Sequence, residues 1–251
     1  MSSRIAAVLL SSLVLFACGT EAEPDHSQGR TVSEAPAPVV EPVVDPVPEP
    51  EPDLKPAAAK EESGPNIKKP ETFTATAPDE FSVKFETTKG DITILVHRAW
   101  SPLGVDRLYN MVEAGYFVET SFFRVIQGYI AQFGLHADPN ISDPWLNATI
   151  KDEPVLQGNL RGRLTFAMGG PNSRSVQFFI NMRDSSRLDS MGFGAIGEVT
   201  AGMDVVDSLF SGYGDKPPTG PDQSRVMFEG NTYLKQDFPK LDFIKSATIV
   251  K

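Results

Sequence analysis

The chain of 251 residues contains a single cysteine, Cys18, and only three histidines and two tryptophans. One thiol cannot form an internal disulfide, so no cystine framework supports the fold. His26, His97 and His136 fall in no cluster, which argues against a histidine-built metal site and against a nucleophile with a histidine base. No Gly-x-Ser-x-Gly surrounds any serine, and Met168-Gly169-Gly170-Pro171 is not followed by Gly-Lys-Ser/Thr, so neither a nucleophile elbow nor a phosphate cradle is present. No cofactor or metal is expected. Basic residues are outnumbered, 23 Lys and Arg against 33 Asp and Glu, and the net charge of -10 argues against nucleic acid as a partner. Long apolar runs are also missing. The run from Ile5 to Ala17 covers thirteen positions, too few to cross a hydrocarbon layer of about 30 Å.

That short run nevertheless has a reading of its own. Arg4, the apolar stretch and then Cys18 have the order of a secretion signal. Leu15-Phe16-Ala17-Cys18-Gly19 resembles the lipobox of bacterial lipoproteins, in which the signal is cut before the cysteine and the cysteine is acylated. The resemblance implies a signal peptide over residues 1–17 and a membrane anchor at Cys18. Several acyl chains, at about 0.8 kcal/mol per buried methylene, hold a protein on a bilayer where one chain does not. Gly19 in place of aspartate resembles lipoproteins sent to the outer membrane of Gram-negative bacteria, which implies a lipid-anchored protein of the cell envelope facing the periplasm.

Residues 18–78 are rich in Pro, Glu, Ala and Val, as in APAPVVEPVVDPVPEPEPDLKPAAAKEESGP. Large apolar side chains are too sparse there to offset the entropy of ordering, so the segment is expected to be a disordered, extended tether. It carries twelve acidic and five basic side chains, hence seven of the ten net negative charges, and self-repulsion extends it further. A proline-rich stretch can also serve as a docking ligand for another domain.

Residues 79–251 are enough for one compact domain, expected as a monomer. Phe81 to Thr87 alternates apolar and polar, Lys89-Gly90-Asp91 turns, and Ile92 to Val96 resumes, which predicts a hairpin. Ser101-Pro102 predicts a helix start, with Val105, Leu108, Tyr109 and Val112 at helical spacing up to Gly115. Short apolar runs follow at Phe122–Ile126, Leu164–Met168, Val176–Met182 and Gly194–Val199. A second helical pattern spans Met203–Phe210, and Ala247–Val250 predicts a last strand. Many short strands with two helices point to a mainly β fold, a closed or nearly closed barrel.

One charge stands out. In SFFRVIQGYIAQFG, Ser121 to Gly134, Arg124 is set among aromatic and β-branched residues. It lies either on the solvent face of a strand or as a fixed cation beside an apolar groove. The second reading gains from a resemblance. This segment matches the F-x-R-V-I-x-G-F-x-x-Q-x-G pattern of the cyclophilin family of peptidyl-prolyl isomerases. LTFAMGGPNSRSVQFFI, Leu164 to Ile180, matches the same family's S-M-A-x-x-G-P-N-x-x-x-S-Q-F-F-I. The resemblance extends over nearly all of Phe81 to Val250. It implies an eight-stranded antiparallel barrel closed by two helices, acting on proline-containing polypeptides.

By the same resemblance, Arg124 is the catalytic arginine and Gln132 the glutamine beside it. Tyr129, Ile130, Phe179 and Leu188 match the walls of a proline pocket, and Ala167, Met168, Gly169 and Gln177 the strip that holds the peptide backbone. Phe193 stands where the family carries histidine or tyrosine, Met168 where asparagine is usual, and Arg187 where it carries tryptophan or phenylalanine. Taken singly, Ile130, Phe179 and Leu188 read equally as barrel core. Two functions follow from the resemblance: an isomerase that assists folding of envelope or secreted proteins, and a tethered module that binds proline peptides with little turnover.

Overall fold

The computed structural model describes residues 66–250. The proposed signal segment, Cys18 and most of the tether lie outside the described residues. Within them, nine strands alternate with short helices: β1 (Glu80–Thr87), β2 (Asp91–His97), α1 (Pro102–Glu113), β3 (Thr120–Ser121), β4 (Arg124–Ile126), β5 (Ile130–Phe133), α2 (Pro139–Asn147), β6 (Arg163–Phe166), β7 (Phe178–Asn181), α3 (Arg187–Ser190), β8 (Ala195–Ala201), α4 (Met203–Asp207), α5 (Gln223–Glu229), α6 (Asn231–Asp237) and β9 (Phe243–Val250).

All nine strands belong to one curled antiparallel sheet in the order β3-β9-β1-β2-β8-β6-β7-β5-β4. The two ends of that order, β3 and β4, are successive pieces of one run joined through Phe122 and Phe123. The sheet therefore curls until its edges meet along a single stretch of chain, and counting that run once recovers the eight strands expected from sequence. The hairpin forms as its alternation predicts, with Val83 opposite Ile94 and Phe85 opposite Ile92, and alternate residues of β1 and β2 are buried.

The inward side chains form the core. Phe85, Phe117, Phe122, Phe133, Phe166 and Phe178 are fully buried. Their rings meet at edge and tilted angles, Phe85 against Phe133 at 5.6 Å between centroids and Phe166 against Phe178 at 4.2 Å. Such pairs add about 0.5–1.5 kcal/mol each beyond the area they bury.

The helices depart from expectation in number and in length. Ser101 precedes α1, but its hydroxyl does not cap the helix. Glu153, from a loop fifty residues away, accepts the N–H groups of Leu103 and Gly104 at 2.8 and 3.1 Å and also bonds the Ser101 hydroxyl. The pattern over Met203–Phe210 yields only the five residues of α4, because the Phe210 N–H turns away to Asp242 Oδ2 at 2.8 Å. Four further helices, α2, α3, α5 and α6, escaped the periodicity. α2 has prolines at its start and inside it, and it is started by Asp138 accepting from Asn140 N–H; α5 is started by Asp222, which accepts from Ser224 and Arg225 N–H. Both cap signals are short, and neither helix is long enough to develop a clear repeat.

Residues 66–78, assigned above to the tether, lie against the domain. Phe73 packs on Trp145 at 5.7 Å, and Trp145 Nε1 donates to the Ile67 carbonyl at 2.6 Å. Asn110 of α1 both accepts from Ala75 N–H and donates to the Ala75 carbonyl, and Asp106 accepts from Ala77 N–H. The composition of this stretch hides a strap whose anchors are two α1 side chains and one tryptophan.

Candidate active site

The site lies on the outer face of the sheet. Residues directly opposite in neighbouring strands share a face, and the register places Arg124 opposite Gln132 and Gln132 opposite Phe179. Three adjacent strands, β4, β5 and β7, thus bring the arginine, the glutamine and a phenylalanine ring into one row. Their neighbours in sequence, Val125, Ala131, Phe133, Phe178 and Ile180, point the other way into the core. Ile130 and Phe179 are buried as well, yet they belong to the cavity wall and not to the core cluster.

The row opens into a cavity of about 360 Å³ lined by Arg124, Tyr129, Ile130, Gln132, Ala167, Met168, Gly169, Gln177, Phe179, Leu188 and Phe193. Every candidate site residue of the domain named from sequence is in that set. A polar chain runs beneath it: Arg124 Nη1 donates to Gln132 Oε1 at 2.9 Å, and Gln132 Nε2 donates to Gln177 Oε1 at 2.9 Å. Both glutamines are almost wholly removed from solvent, so Gln132 is held between the arginine and Gln177, and Gln177 is held by Gln132. Arg124 itself keeps about a quarter of its side chain exposed (28%), and its Nε donates to Asp215 Oδ1 at 2.5 Å.

The apolar end is built by Phe179 and Phe193, whose rings meet edge to face at 6.0 Å, with Ile130 and Leu188 beside them. Tyr129 stands at the rim with the Arg183 guanidinium over its ring at 4.9 Å. On the opposite side the Ala167 N–H donates to the Gln177 carbonyl at 2.9 Å, extending the sheet into the strip of Ala167, Met168 and Gly169. Met168 also lines a neighbouring cavity of about 370 Å³ with Asp152, Glu153 and Met191. Arg187 is exposed and stays outside the main cavity, in a surface depression with Tyr129 and Leu188. The wall that an aromatic side chain would supply there is absent from the cavity lining.

Local constraints keep this geometry. Gly134 ends the first motif at φ +114°, and a Cβ there would lie 2.1 Å from the Val176 carbonyl oxygen, so only glycine lets β5 pass this close to the Gln177 strip. Ser173 Oγ accepts from the N–H groups of Gly169 and Gly170 and donates to the Gly170 carbonyl at 2.6 Å, folding the glycine pair into a tight turn. Asn159, fully buried, donates to the Phe193 carbonyl at 2.7 Å and to Asp189 at 2.8 Å, and accepts from Thr165 and Asn181. It ties α3, which carries Leu188, to the strand that follows Phe193.

Burial raises the Glu153 carboxyl, but hydrogen bonds from Ser101, from the Leu103 and Gly104 N–H groups and from Arg174 outweigh it, so the group is held below its ordinary value near 4.5. Arg174, itself buried, joins Glu153 to the Ser173–Ser175 side of the cavity through a 3.1 Å ion pair.

Sequence reasoning missed Ser173, Ser175 and Gln223 in the lining, Asn159 beneath it and Asp215 beside the arginine. A serine following Gly-Gly-Pro-Asn is a turn signal, and Ser173 was legible on that ground. Gln223 and Asp215 lie about a hundred residues from Arg124, and nothing local marks them.

The family description "Cyclophilin type peptidyl-prolyl cis-trans isomerase/CLD" matches residues 82–226. The chain belongs to this family. Peptidyl-prolyl cis-trans isomerase B of Escherichia coli K12 is 31% identical to it over 178 residues, covering 66% of this chain and 98% of its own. A peptidyl-prolyl cis-trans isomerase of Arabidopsis thaliana is 30% identical over 161 residues, covering 60% of this chain and 97% of its own. The cyclophilin fold is shared with a solved isomerase of Cryptosporidium parvum, at a TM-score of 0.51 and 20% identity, covering 68% of this chain and 98% of that one. The same parasite protein has been solved in the presence of the dipeptide Ala-Pro, with a TM-score of 0.50 and 21% identity, covering 68% of this chain and 99% of that one. This cyclophilin-type isomerase thus places its two family motifs on the same outer face of the sheet.

Proposed function

We propose that the chain accelerates rotation about X-Pro bonds, with the prolyl ring in the Ile130, Phe179, Leu188 and Phe193 pocket and Arg124 as the catalytic donor. The supporting observation is the row of Arg124, Gln132 and Phe179 across three strands, which sets one cation at the edge of an apolar pocket. Rotation about a peptide bond is slow because the nitrogen shares its lone pair with the carbonyl, a barrier of about 18–20 kcal/mol. No covalent bond breaks. A donor aimed at the prolyl nitrogen stabilises the lone pair only as the bond twists, which is selective for the transition state. Guanidinium serves because it donates without losing its charge near neutrality. Gln132, braced by Gln177, holds Arg124 Nη1 in place. A hundred-thousand-fold acceleration would need about 7 kcal/mol of such differential stabilisation.

The site acts, in this reading, at a bacterial envelope. Cys18 carries the lipid, the proline-rich stretch spans from membrane to domain, and the polypeptides served are secreted or envelope proteins on the periplasmic side of the outer membrane. The lipobox at Leu15 to Cys18 and the acidic, proline-rich stretch behind it support this.

Two measurements test the reading. Cis-to-trans conversion of a short X-Pro peptide should be about a hundredfold faster with the wild-type chain than with Arg124→Ala; a wild-type rate no faster than the uncatalysed one would leave only a binding module. Mass spectrometry of the membrane fraction should find Cys18 acylated, and an unmodified thiol in soluble protein would remove the anchor.

A further inference from the structure

Arg124 is held from two sides, and only one side is accounted for by Gln132. Its Nε donates to Asp215 Oδ1 at 2.5 Å, and Asp215 comes from the loop between α4 and α5, 91 positions further along the chain. An ion pair with side chains 28% and 47% exposed is ordinarily a surface contact of small energetic weight. Two features set this one apart.

The first is the geometry of the fork. Guanidinium is planar, and bonds at Nε and at Nη1 fix both its plane and its rotation within that plane. Neither bond uses Nη2. The arginine lines both the main cavity and a second one of about 370 Å³, whose wall also includes Phe123, Asp215, Lys216, Pro217 and Gln223.

The second is the construction of the loop. Two residues before Asp215, the Tyr213 ring packs edge to face on Phe210 and Phe238, each at 4.9 Å between centroids, and its Oη accepts from Lys240 N–H at 3.3 Å. Gly214 takes the left-handed conformation at φ +81°. Gly220 N–H closes a turn on the Lys216 carbonyl at 3.0 Å, and Asp222 N–H donates to Tyr233 Oη at 3.0 Å. Pro217, Pro218 and Pro221 further restrict the backbone. Asp215 is therefore presented by an anchored loop.

We propose that Asp215 is a positioning residue for isomerisation: by holding Nε of Arg124 against the pull of Gln132 on Nη1, it aims the free edge of the guanidinium at the prolyl nitrogen. The inference rests on Arg124 being the catalytic donor, as proposed above. Such a role affects the twisted state more than the bound ground state, so it belongs in kcat and not in KM.

The test compares wild type, Asp215→Ala, Asp215→Asn and Arg124→Ala in the full chain. Asp215→Ala is expected to lower kcat by about tenfold with KM within about twofold, and Asp215→Asn, which keeps an acceptor but no charge, to fall between. Proton–nitrogen spectra supply a reading independent of turnover. The Nε–H signal that disappears in Arg124→Ala should exchange slowly with water in wild type and quickly in Asp215→Ala. If Arg124→Ala is slowed about a hundredfold while Asp215→Ala turns over at or above the wild-type rate, the inference is overturned alone, and a rise would mean that the carboxylate competes with substrate for the arginine. If Arg124→Ala is as active as wild type, the catalytic reading of the arginine falls and this inference falls with it.

Discussion

The two faces of the β4-β5-β7 ladder are made by the same strands and are almost equally hidden from water, yet they are held together differently. Inward, Val125, Phe133, Phe178 and Ile180 join a continuous apolar cluster. Outward, Arg124, Gln132, Ile130 and Phe179 line a cavity, and the polar members are bonded into a chain from Asp215 through Arg124 and Gln132 to Gln177. Burial does not separate the two, since Phe178 and Phe179 are both below 5% exposed. What separates them is what each ring touches: Phe178 meets the core rings of Phe117, Phe133 and Phe166, whereas Phe179 meets Phe193 across a space that a ligand can enter. The inner face can be judged by the stability it contributes, and the outer face by the barrier it lowers.

That contrast is open to direct attack. The largest effect is expected inside: Phe178→Ala should lower unfolding stability by about 3–5 kcal/mol, read from denaturant titration, because a fully buried ring leaves a cavity its aromatic neighbours cannot collapse into. Next comes the arginine on the outer face. Arg124→Ala should lower kcat/KM by about a hundredfold, near 2.7 kcal/mol in the barrier, while the denaturation midpoint moves little. A comparable loss of stability there would erase the distinction between the faces. Gln132→Ala should sit between the two behaviours, with kcat/KM down by about tenfold and a stability loss of about 1 kcal/mol, since Gln177 loses its partner.

The smallest effect distinguishes the faces by pH. Glu153 is held below its ordinary value near 4.5, so its contribution to stability is complete above that pH and is lost as pH falls through the lower folded-state value. Glu153→Gln should therefore flatten the acid side of the stability profile, by about 1 kcal/mol or less, with the loss already present at neutral pH. Phe133→Leu, on the inner face, should shift the whole profile without changing its slope. Thermal melts from pH 3 to about pH 7 would separate the two shapes.

The hairpin, α1 and most of the strands were legible because each carries its period within a few residues: alternation over Phe81–Val96 and three-to-four spacing over Val105–Val112. α2 and α5 were not, since their starts depend on single aspartates, Asp138 and Asp222, and α4 stops early because a distant carboxylate, Asp242, takes the Phe210 N–H. The segment from Asn66 to Pro78 read as tether because composition cannot reveal that Asn110 and Trp145 will meet its backbone.

For the site, the motifs carried the residue types and their spacing: the side-chain period of a strand is two, so alternation puts Arg124 with Ile126, Ile130 with Gln132 and Phe179 with Asn181 on common faces, without saying which face turns to the core. The sequence also named the departures at Met168, Arg187 and Phe193. The packing of the whole sheet was needed to show that Ile130 and Phe179 are wall and not core, that Asn159 ties α3 to the Phe193 backbone, and that Asp215 holds the arginine. The difference is one of range. A strand's alternation is set by bonds between neighbours, whereas the partner of a guanidinium 91 positions away depends on where an anchored loop comes to rest after the whole sheet has curled.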